Sequence, residues 1–348
     1  METGVKKRRK IEAAACAGTL LFLRGKRGVS MNLPNDRAAA FVKPKRKKAR
    51  WLVTVCKNYD LYLLLLPGLA FLILFKYVPM YGISIAFEKF NIFKGVLGSP
   101  WVGLYQFQKL FSSPEFYRVL GNTLLISLYK IVFLFPLPII IAVLLNEIRL
   151  SSVKRTIQTV IYLPHFLSWV IVSGIVVEFL SPSTGAVNQM ITALKGQPIS
   201  FLMDNHWFRT VLVASDAWKG AGYGAIVYLS SIAGIDQSQY EAARVDGAGR
   251  IRQIFSITLP NLWPIILLML IMNLGQILNV GTEQILLLYN PSVYDTGDVI
   301  GTYVYRQGIS QMNYSYSTAV GLFESVVGFL LVMSGNYLSK KTSGRSIW

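Results

Sequence analysis

Polar side chains with hydrogen-bonding capacity recur within one strongly apolar run of the chain. At 100° per residue of an α-helix they fall within about 140° of arc, so a single helix would carry them as one stripe. Amide and carboxylate groups of this kind form hydrogen bonds with the hydroxyl groups of polar ligands. The members of this stripe are Asn273, Gln276, Asn279, Glu283 and Gln284.

Aromatic and charged side chains in two further apolar runs could complete such a surface, because aromatic faces pack against the apolar faces of a ligand. They are Trp169 and Ser173 in one run, and Asp216, Trp218, Lys219 and Tyr223 in the next. We predict a substrate path lined by Asn273, Gln276, Asn279, Trp218, Tyr223 and Trp169. The alternative is that the amides only hold membrane helices together by hydrogen bonds. For Glu283, near the end of its run, that alternative or a gate is favoured.

Residues with the spacing of an enzyme site are not recognisable. The pair Gly25-Lys26 has Leu20 where a phosphate-binding loop needs Gly and Arg27 where it needs Ser or Thr. His165 and His206 have no Cys or carboxylate at metal-ligand spacing. We therefore expect no catalytic residue, no metal and no cofactor, and a protein that transports without chemistry of its own.

Composition requires that these polar residues lie in a membrane protein. Hydrophobic residues make up 53% of the chain and charged residues 15%, with a mean hydropathy of +0.45. At 1.5 Å per residue, six runs are long enough to cross a hydrocarbon core of about 30 Å. We predict an all-α integral membrane protein with six transmembrane helices: Leu61 to Ile83, Val119 to Leu145, Ile157 to Leu180, Phe208 to Gly234, Leu262 to Leu288 and Thr318 to Leu338.

Charges within these runs must face protein or water. A charge at the centre of a membrane costs at least about 2.5 kcal/mol, and Asp216 and Lys219 both interrupt the fourth predicted span. Outside the spans the basic residues are unequally shared. With the N-terminus inside, 25 of the 35 Lys and Arg residues fall on the cytoplasmic side and 7 on the other. This distribution predicts a multi-pass protein of the cell membrane, inner or plasma, with both termini in the cytoplasm.

Much of the net charge of +18 comes from residues 1–57, which hold 16 of the basic residues. Such clusters attract anionic lipid, and no aromatic platform for nucleic-acid bases accompanies them. We predict a basic, disordered cytoplasmic tail that contacts membrane lipid and no nucleic acid. Its run Ala13 to Leu23 lacks the cleavage site of a signal peptide. Translation could start at Met1 or at Met31.

A polar break at residues 236–260 separates the fourth and fifth predicted spans. Ser238 and Glu241 have the spacing of a capping box, Ala242 favours helix, and Gly247 permits a turn. Pro260 suits the first turn of a new helix. This pattern predicts helix, glycine turn and helix. By itself it could be no more than a capped connection.

The order of three motifs in this break resembles the EAA loop of the membrane-spanning subunits of bacterial ATP-binding-cassette (ABC) importers. The motifs are Glu241-Ala242-Ala243, Asp246-Gly247-Ala248 and Ile257-Thr258-Leu259-Pro260. Further stretches resemble the maltose-type carbohydrate permeases, in particular the LplB-like branch for oligosaccharides and polysaccharide fragments. The resemblance covers about residue 59 to the C-terminus and includes residues 62–87, 97–104, 121–127, 163–169 and 321–325.

The resemblance implies a type I ABC importer permease fold over residues 58–348. Such a permease pairs with a second permease, usually a paralogue, while an extracytoplasmic binding protein delivers carbohydrate and a dimeric cytoplasmic ATPase hydrolyses ATP to drive alternating access. The residues implied in ATPase coupling are Glu241, Ala242, Ala243, Asp246, Gly247, Ala248 and Pro260. An ion-driven secondary transporter, indicated by inverted repeats with broken helices, and a membrane enzyme acting on glycolipid are the alternatives. Which sugar is carried cannot be read from the chain.

Overall fold

A computed structural model describes residues 59–343 of the chain. The predicted tail at residues 1–57 lies outside the described residues. Two compact units divide the chain, Met1–Leu69 and Ala70–Trp348. The described part of the first unit is helical, and so is most of the second. Apart from an isolated bridge between Glu88 and Trp101, the described residues contain no β-structure.

Twelve helical segments position the site, and several of them continue through short π or 3-10 turns. In chain order they are α1 (Tyr59–Phe87), α2 (Tyr105–Phe111), α3 (Pro114–Glu147), α4 (Ser151–Tyr162), α5 (Trp169–Phe179), α6 (Ala186–Ala193), α7 (Phe208–Ala233), α8 (Gln237–Val245), α9 (Arg250–Gly275), α10 (Thr282–Leu288), α11 (Ile300–Tyr305) and α12 (Tyr314–Ser343).

Four of these helices are long and apolar enough to cross a membrane, namely α1, α3, α9 and α12, and the bent pair of α4 and α5 would be a fifth. Helix α7 has 26 residues and lies where the fourth span was predicted, with Asp216 and Lys219 inside it. The all-helical prediction is confirmed. The count of six spans stays a prediction, because length and composition alone support four or five among residues 59–343.

The third predicted span, Ile157 to Leu180, is not one straight helix. A bend of 102° separates Ser151–Phe166 from α5. Pro164 begins a 3-10 turn at the end of α4, and Leu167 and Ser168 then adopt extended backbone. The Ser168 hydroxyl accepts a hydrogen bond from the Ile171 N–H at 3.3 Å and so caps the new helix.

The fifth predicted span, Leu262 to Leu288, is wrong as a single helix. Helix α9 ends at Gly275, and residues 276–281 form a break before α10. Gly281 ends the break with a φ of +84°, a left-handed conformation that glycine adopts without a steric cost. The predicted polar stripe is therefore divided, because Glu283 and Gln284 lie on a different helix from Asn273.

Helix α7 packs in the middle of the second unit and approaches the backbone of α4 closely. Gly222 lies on α7 where a Cβ atom would overlap the Ile161 carbonyl group. Gly224, half a turn away, faces Pro138 of α3, whose Cγ would be 3.1 Å from an added Cβ. Small residues at these crossings allow the helices to approach each other, as is common in membrane proteins.

We expect Gly222→Ala to reduce the yield of folded, membrane-inserted protein, because the new methyl group forces α7 away from α4. Overpacking of this kind costs about 1–3 kcal/mol. The matched control is Gly121→Ala on α3, where an added Cβ meets nothing within 4 Å. Thermal unfolding of the two purified variants measures the difference. Equal stability of both variants would contradict the close approach.

A loop between α10 and α11 is fastened to the start of α3 by a buried ion pair. Arg306 donates to both carboxylate oxygens of Asp298, at 3.1 and 2.6 Å, and to Glu115 at 2.9 Å. The Thr302 hydroxyl also donates to Asp298, at 2.7 Å. Burial alone lowers the pKa of the Arg306 guanidinium, but hydrogen bonds and charge from Asp298 and Glu115 outweigh it and raise the pKa. The guanidinium therefore stays charged.

Candidate functional site

The polar loop between α7 and α9 contains a short exposed helix, α8, which begins at a different cap from the predicted one. The Asp236 carboxylate accepts a hydrogen bond from the Ser238 N–H at 3.0 Å. Hydrogen bonds from the Ser238 backbone and side chain lower the pKa of Asp236 below its ordinary value. The predicted capping box of Ser238 and Glu241 is therefore wrong, since Asp236, a strong N-cap residue, takes that position two residues earlier.

Gly247 terminates α8 in a left-handed turn. Its φ is +74°. The Gly247 N–H donates to the Arg244 carbonyl at 3.0 Å, and the Ala248 N–H donates to the Ala243 carbonyl at 2.8 Å. This pair of hydrogen bonds is a Schellman motif, which satisfies carbonyl groups that the helix end would otherwise leave free. The chain then re-enters helix at Arg250 and continues through a π turn to Pro260.

One side of α8 is bonded to the rest of the protein, and the Glu241 carboxylate on this helix is exposed. Tyr240 is buried, and its hydroxyl is 2.9 Å from the Thr258 hydroxyl. The Asn261 amide donates to the Gln239 amide oxygen at 3.1 Å. Glu241 is exposed, and within residues 59–343 its carboxylate makes no hydrogen bond or ion pair. The arrangement is a rigid helix that presents a free charge.

Apolar side chains beside this charge are unusually open. Val245, Ile251 and Phe255 are exposed to 88%, 73% and 66%. They lie at the end of α8 and the start of α9, next to Asp246 and Gly247. An apolar surface with an unpaired carboxylate is typical of a protein interface.

A second polar feature is a cavity of about 380 Å³ between α3, α7, α9 and the 276–281 break. Asn273, Gln276, Asn279 and Trp169 all line it, so the structure brings together four of the six predicted path residues. The other lining residues that can form hydrogen bonds through their side chains are Ser127, Lys130, Asp216 and Tyr228.

Trp218 and Tyr223 are not among the cavity-lining residues, which corrects two of the predicted positions. The Tyr223 ring stacks on the His165 ring, with centroids 3.8 Å apart. Trp218 lines a different, largely apolar pocket with Phe179 and Trp207. Both residues are on α7, but Tyr223 lies on its face toward the end of α4 and Trp218 on its face toward α5. Residue type alone did not reveal those directions.

The amide side chains that line the cavity differ in exposure and bonding from the amide that links two helices. The Asn273 amide donates to the Met269 carbonyl of its own helix at 2.8 Å, and its side chain is exposed. Gln276 and Asn279 are exposed as well. Gln284, by contrast, is fully buried and donates to the Leu212 carbonyl at 2.7 Å. Among the described residues, Gln284 therefore links two helices, whereas Asn273 bonds within its own helix.

Lys130 and Asp216 are the charged residues of this cavity. The Lys130 ammonium lies 2.6 Å from an Asp216 carboxylate oxygen, and their side chains are 14% and 26% exposed. The expectation that Asp216 faces protein or water is met. Lys130 was missed as a site residue, although a lysine inside an apolar run is costly in lipid and is a signal of function.

Comparison with known proteins places this arrangement in a family. Residues 134–344, more than half of the chain, match the family described as "Binding-protein-dependent transport system inner membrane component". The chain belongs to that family. It is, more particularly, a permease subunit of an ABC importer, and the resemblance inferred from the EAA loop and the spans is confirmed.

Two Bacillus subtilis proteins are similar along nearly their whole length. "Protein LplB" is 46% identical, with 85% of this chain and 93% of that protein covered. "Polygalacturonan/rhamnogalacturonan transport system permease protein YteP" is 43% identical, with 90% and 98% covered.

A solved structure is similar in fold as well as in sequence. It is a crystal structure of a bacterial ABC transporter involved in the import of the acidic polysaccharide alginate. One of its chains is 41% identical to this chain and superposes with a TM-score of 0.79, covering 84% of this chain and 99% of that one. The fold is therefore that of an ABC importer permease.

Proposed function

We propose that this subunit forms part of the path by which an ATP-driven importer moves an oligosaccharide or polysaccharide fragment into the cytoplasm. The observation that carries the proposal is the cavity in which Asn273, Gln276, Asn279 and Trp169 meet. Three exposed amides offer donors and acceptors to sugar hydroxyls, and an indole face suits a sugar ring. The names of two relatives, which mention polygalacturonan, rhamnogalacturonan and alginate, support this substrate class.

Partners follow from the incompleteness of one subunit. The cavity is open on one side, so a second permease, a paralogue of this chain, completes it. The exposed surface of α8 receives a cytoplasmic ATPase, with Glu241, Ala242, Ala243, Asp246, Gly247, Ala248 and Pro260 as the coupling residues. A solute-binding protein delivers substrate to the opposite face, as in the alginate transporter structure that contains a periplasmic protein bound to an alginate pentasaccharide.

Orientation in the membrane follows from the same assembly. An ATPase on α8 requires that this loop be cytoplasmic. With the six predicted spans both termini then lie on the same side, which agrees with the excess of Lys and Arg at the N-terminus. Residues 1–57 then form a basic tail at the lipid surface ahead of a permease domain at 58–348. Binding of substrate and closure of the ATPase dimer alternate the access of the cavity between the two sides.

Broken helices alone would also fit an ion-driven secondary transporter, because such transporters bind ions at interrupted spans. Residues 59–343 contain two such interruptions, at Leu167 to Ser168 and at 276–281. Membership of the binding-protein-dependent family decides for ATP-driven import.

The test of this function is uptake by the assembled importer. We expect Gln276→Ala and Asn273→Ala to lower the amount of oligosaccharide transported per ATP hydrolysed about tenfold, since each removes hydrogen bonds to a polar substrate. Assembly and ATPase activity should persist, because neither side chain bonds to another helix. Proteoliposomes with labelled uronate and neutral oligosaccharides give the measurement.

Trp218→Phe is the matched control, because Trp218 is on a cavity-forming helix but faces a different pocket. It should transport as the unaltered protein does. Loss of assembly in Gln276→Ala would instead assign that amide to helix packing. Failure of the unaltered importer to take up any carbohydrate would refute the proposed function.

A further inference from the structure

The break at residues 276–281 leaves backbone carbonyl groups that need hydrogen-bond donors from neighbouring helices. Where a helix stops inside a membrane protein, carbonyl groups lose their helical partners and need others, because lipid offers none. Gln276 and Asn279 both lie in this break and both line the cavity. Whatever holds the break also decides where these two amides point.

The Lys130 ammonium is placed to hold it. Its Nζ donates to the Val280 carbonyl at 2.7 Å and to the Gln284 amide oxygen at 2.9 Å, and it pairs with Asp216 at 2.6 Å. An ammonium carries three protons, and each has an acceptor here. Lys130 has no proton left for a substrate, so its role is to position other groups.

Glycine at position 281 and a buried amide complete the arrangement. A Cβ atom on Gly281 would lie 3.2 Å from the Lys130 Nζ, so a side chain there would crowd the ammonium. Gln284, which accepts from Lys130, donates in turn to the Ser215 hydroxyl at 2.8 Å. The network ties α3, α7 and α10 together beside the cavity.

Lys130 also sits where its own helix is irregular. Residues Lys130–Leu134 form a π turn within α3. A π turn often occurs at a functional position, because it re-aims one side chain while the helix continues. Here it coincides with the residue that reaches across to α10.

At the other interruption, Leu167 to Ser168, a different lysine donates hydrogen bonds to backbone carbonyl groups. Lys219 of α7 donates to the His165 carbonyl at 2.9 Å and also to the Leu167 carbonyl. Its ammonium lies 5.5 Å from the centroid of the Trp169 ring. Each broken span is thus held by a lysine from a neighbouring helix, and each lysine is next to a cavity-lining residue.

We propose that Lys130 is a positioning residue of the transport path, which clamps the 276–281 break and thereby aims Gln276 and Asn279 into the cavity. The role of those amides in transport rests on the proposed function, but the clamp itself does not. Carbohydrate recognition by this cavity therefore depends on a residue whose ammonium protons are all taken by protein acceptors.

The experiment compares hydrogen–deuterium exchange of the assembled importer in nanodiscs. Lys130→Met/Asp216→Asn removes the clamp without leaving an unpaired charge. We expect amide exchange in residues 276–288 to become about tenfold faster, as is typical for loss of a charge-assisted hydrogen bond. Asp216→Asn alone, which keeps the Lys130 contacts to Val280 and Gln284, should accelerate it less than the double variant does.

Lys219→Met is the matched control, because it frees the other break. It should accelerate exchange in residues 163–169 and leave 276–288 unchanged. Gly281→Ala, which crowds the clamp from the opposite side, should accelerate exchange in 276–288 even if the double variant fails to insert. Transport per ATP hydrolysed should fall in the double variant below the value of Asp216→Asn alone.

Normal exchange at 276–288 in both the double variant and Gly281→Ala would overturn the clamp. Equal acceleration at both breaks in every variant would also overturn it, since that result indicates general destabilisation. The exchange measurement needs no substrate. If no carbohydrate were transported while the exchange pattern held, the proposed function would fail and the clamp would stand.

Discussion

Uptake is expected to fall close to background in Gly247→Val, while the protein still inserts into the membrane at a normal level. Gly247 has a φ of +74°, where a β-branched residue is strained by about 1–2 kcal/mol or more. No atom lies within 4 Å of a Cβ added there, so the effect comes from the backbone turn and not from a clash. The end of α8 should move and lose its fit to the ATPase.

Gly249→Val is a close control for this variant. Gly249 is two residues away, an added Cβ there also meets nothing within 4 Å, and its φ is an ordinary −67°. It should retain most of the uptake. If both valine variants transport equally well, the left-handed turn has no part in coupling.

Glu241→Ala tests the charge on the same helix. If the carboxylate pairs with a basic group of the ATPase, its removal should cost about 2–5 kcal/mol of docking, much of it from leaving that group unpaired. Co-purification of the ATPase and uptake should both weaken. Glu241→Gln separates charge from shape, because it keeps the side-chain length. Full transport with bound ATPase in both variants would reduce the loop to a capped connection.

Asp298→Ala is expected to cause the largest loss of stability. Asp298 is fully buried, and its partner Arg306 is 18% exposed. Removing one member of a buried pair costs about 3–5 kcal/mol, because it leaves the other charge without compensation. Glu115 offers only a second, partly exposed contact at 2.9 Å. The loop that Arg306 fastens to α3 should detach.

The control for this variant is an exposed ion pair formed by Asp295, three residues before Asp298. Asp295 contacts Arg118 at 2.6 Å, the same distance as between Arg306 and Asp298, but the two side chains are 72% and 43% exposed. Solvent screening limits such a pair to about 0–1 kcal/mol. Asp295→Ala should therefore unfold at nearly the unaltered temperature, whereas Asp298→Ala should unfold several degrees lower. Equal shifts would mean that burial does not determine the strength of these pairs.

Secondary structure could be predicted from the sequence wherever a few adjacent residues determine the backbone conformation. The run from Ala242 to Gly247 folds as helix and glycine turn, because helix propensity and a left-handed glycine are properties of a few adjacent residues. The apolar runs likewise predicted helices α1, α3, α7 and α12. The family could also be identified from the sequence, because the EAA motifs are contiguous in the chain.

The breaks inside apolar runs could not be predicted from the sequence. Leu262 to Leu288 is apolar enough for one helix, but α9 ends at Gly275, and the break that follows is bonded to Lys130, which lies far away in sequence. The same holds for the cap of α8. Asp236 and Ser238 are both good N-cap residues, and the anchoring of Tyr240 against Thr258 accompanies the earlier start.

The sequence by itself determined a helical membrane permease with a loop that carries the EAA motifs, since hydropathy and contiguous motifs need no tertiary information. Only the tertiary structure decided which polar residues meet. Asn273, Gln276 and Asn279 share a cavity with Trp169, whereas Trp218 and Tyr223 turn elsewhere and Gln284 is buried. The physical reason is that the direction of a side chain depends on where its helix bends, and these bends are stabilised by lysines from neighbouring helices.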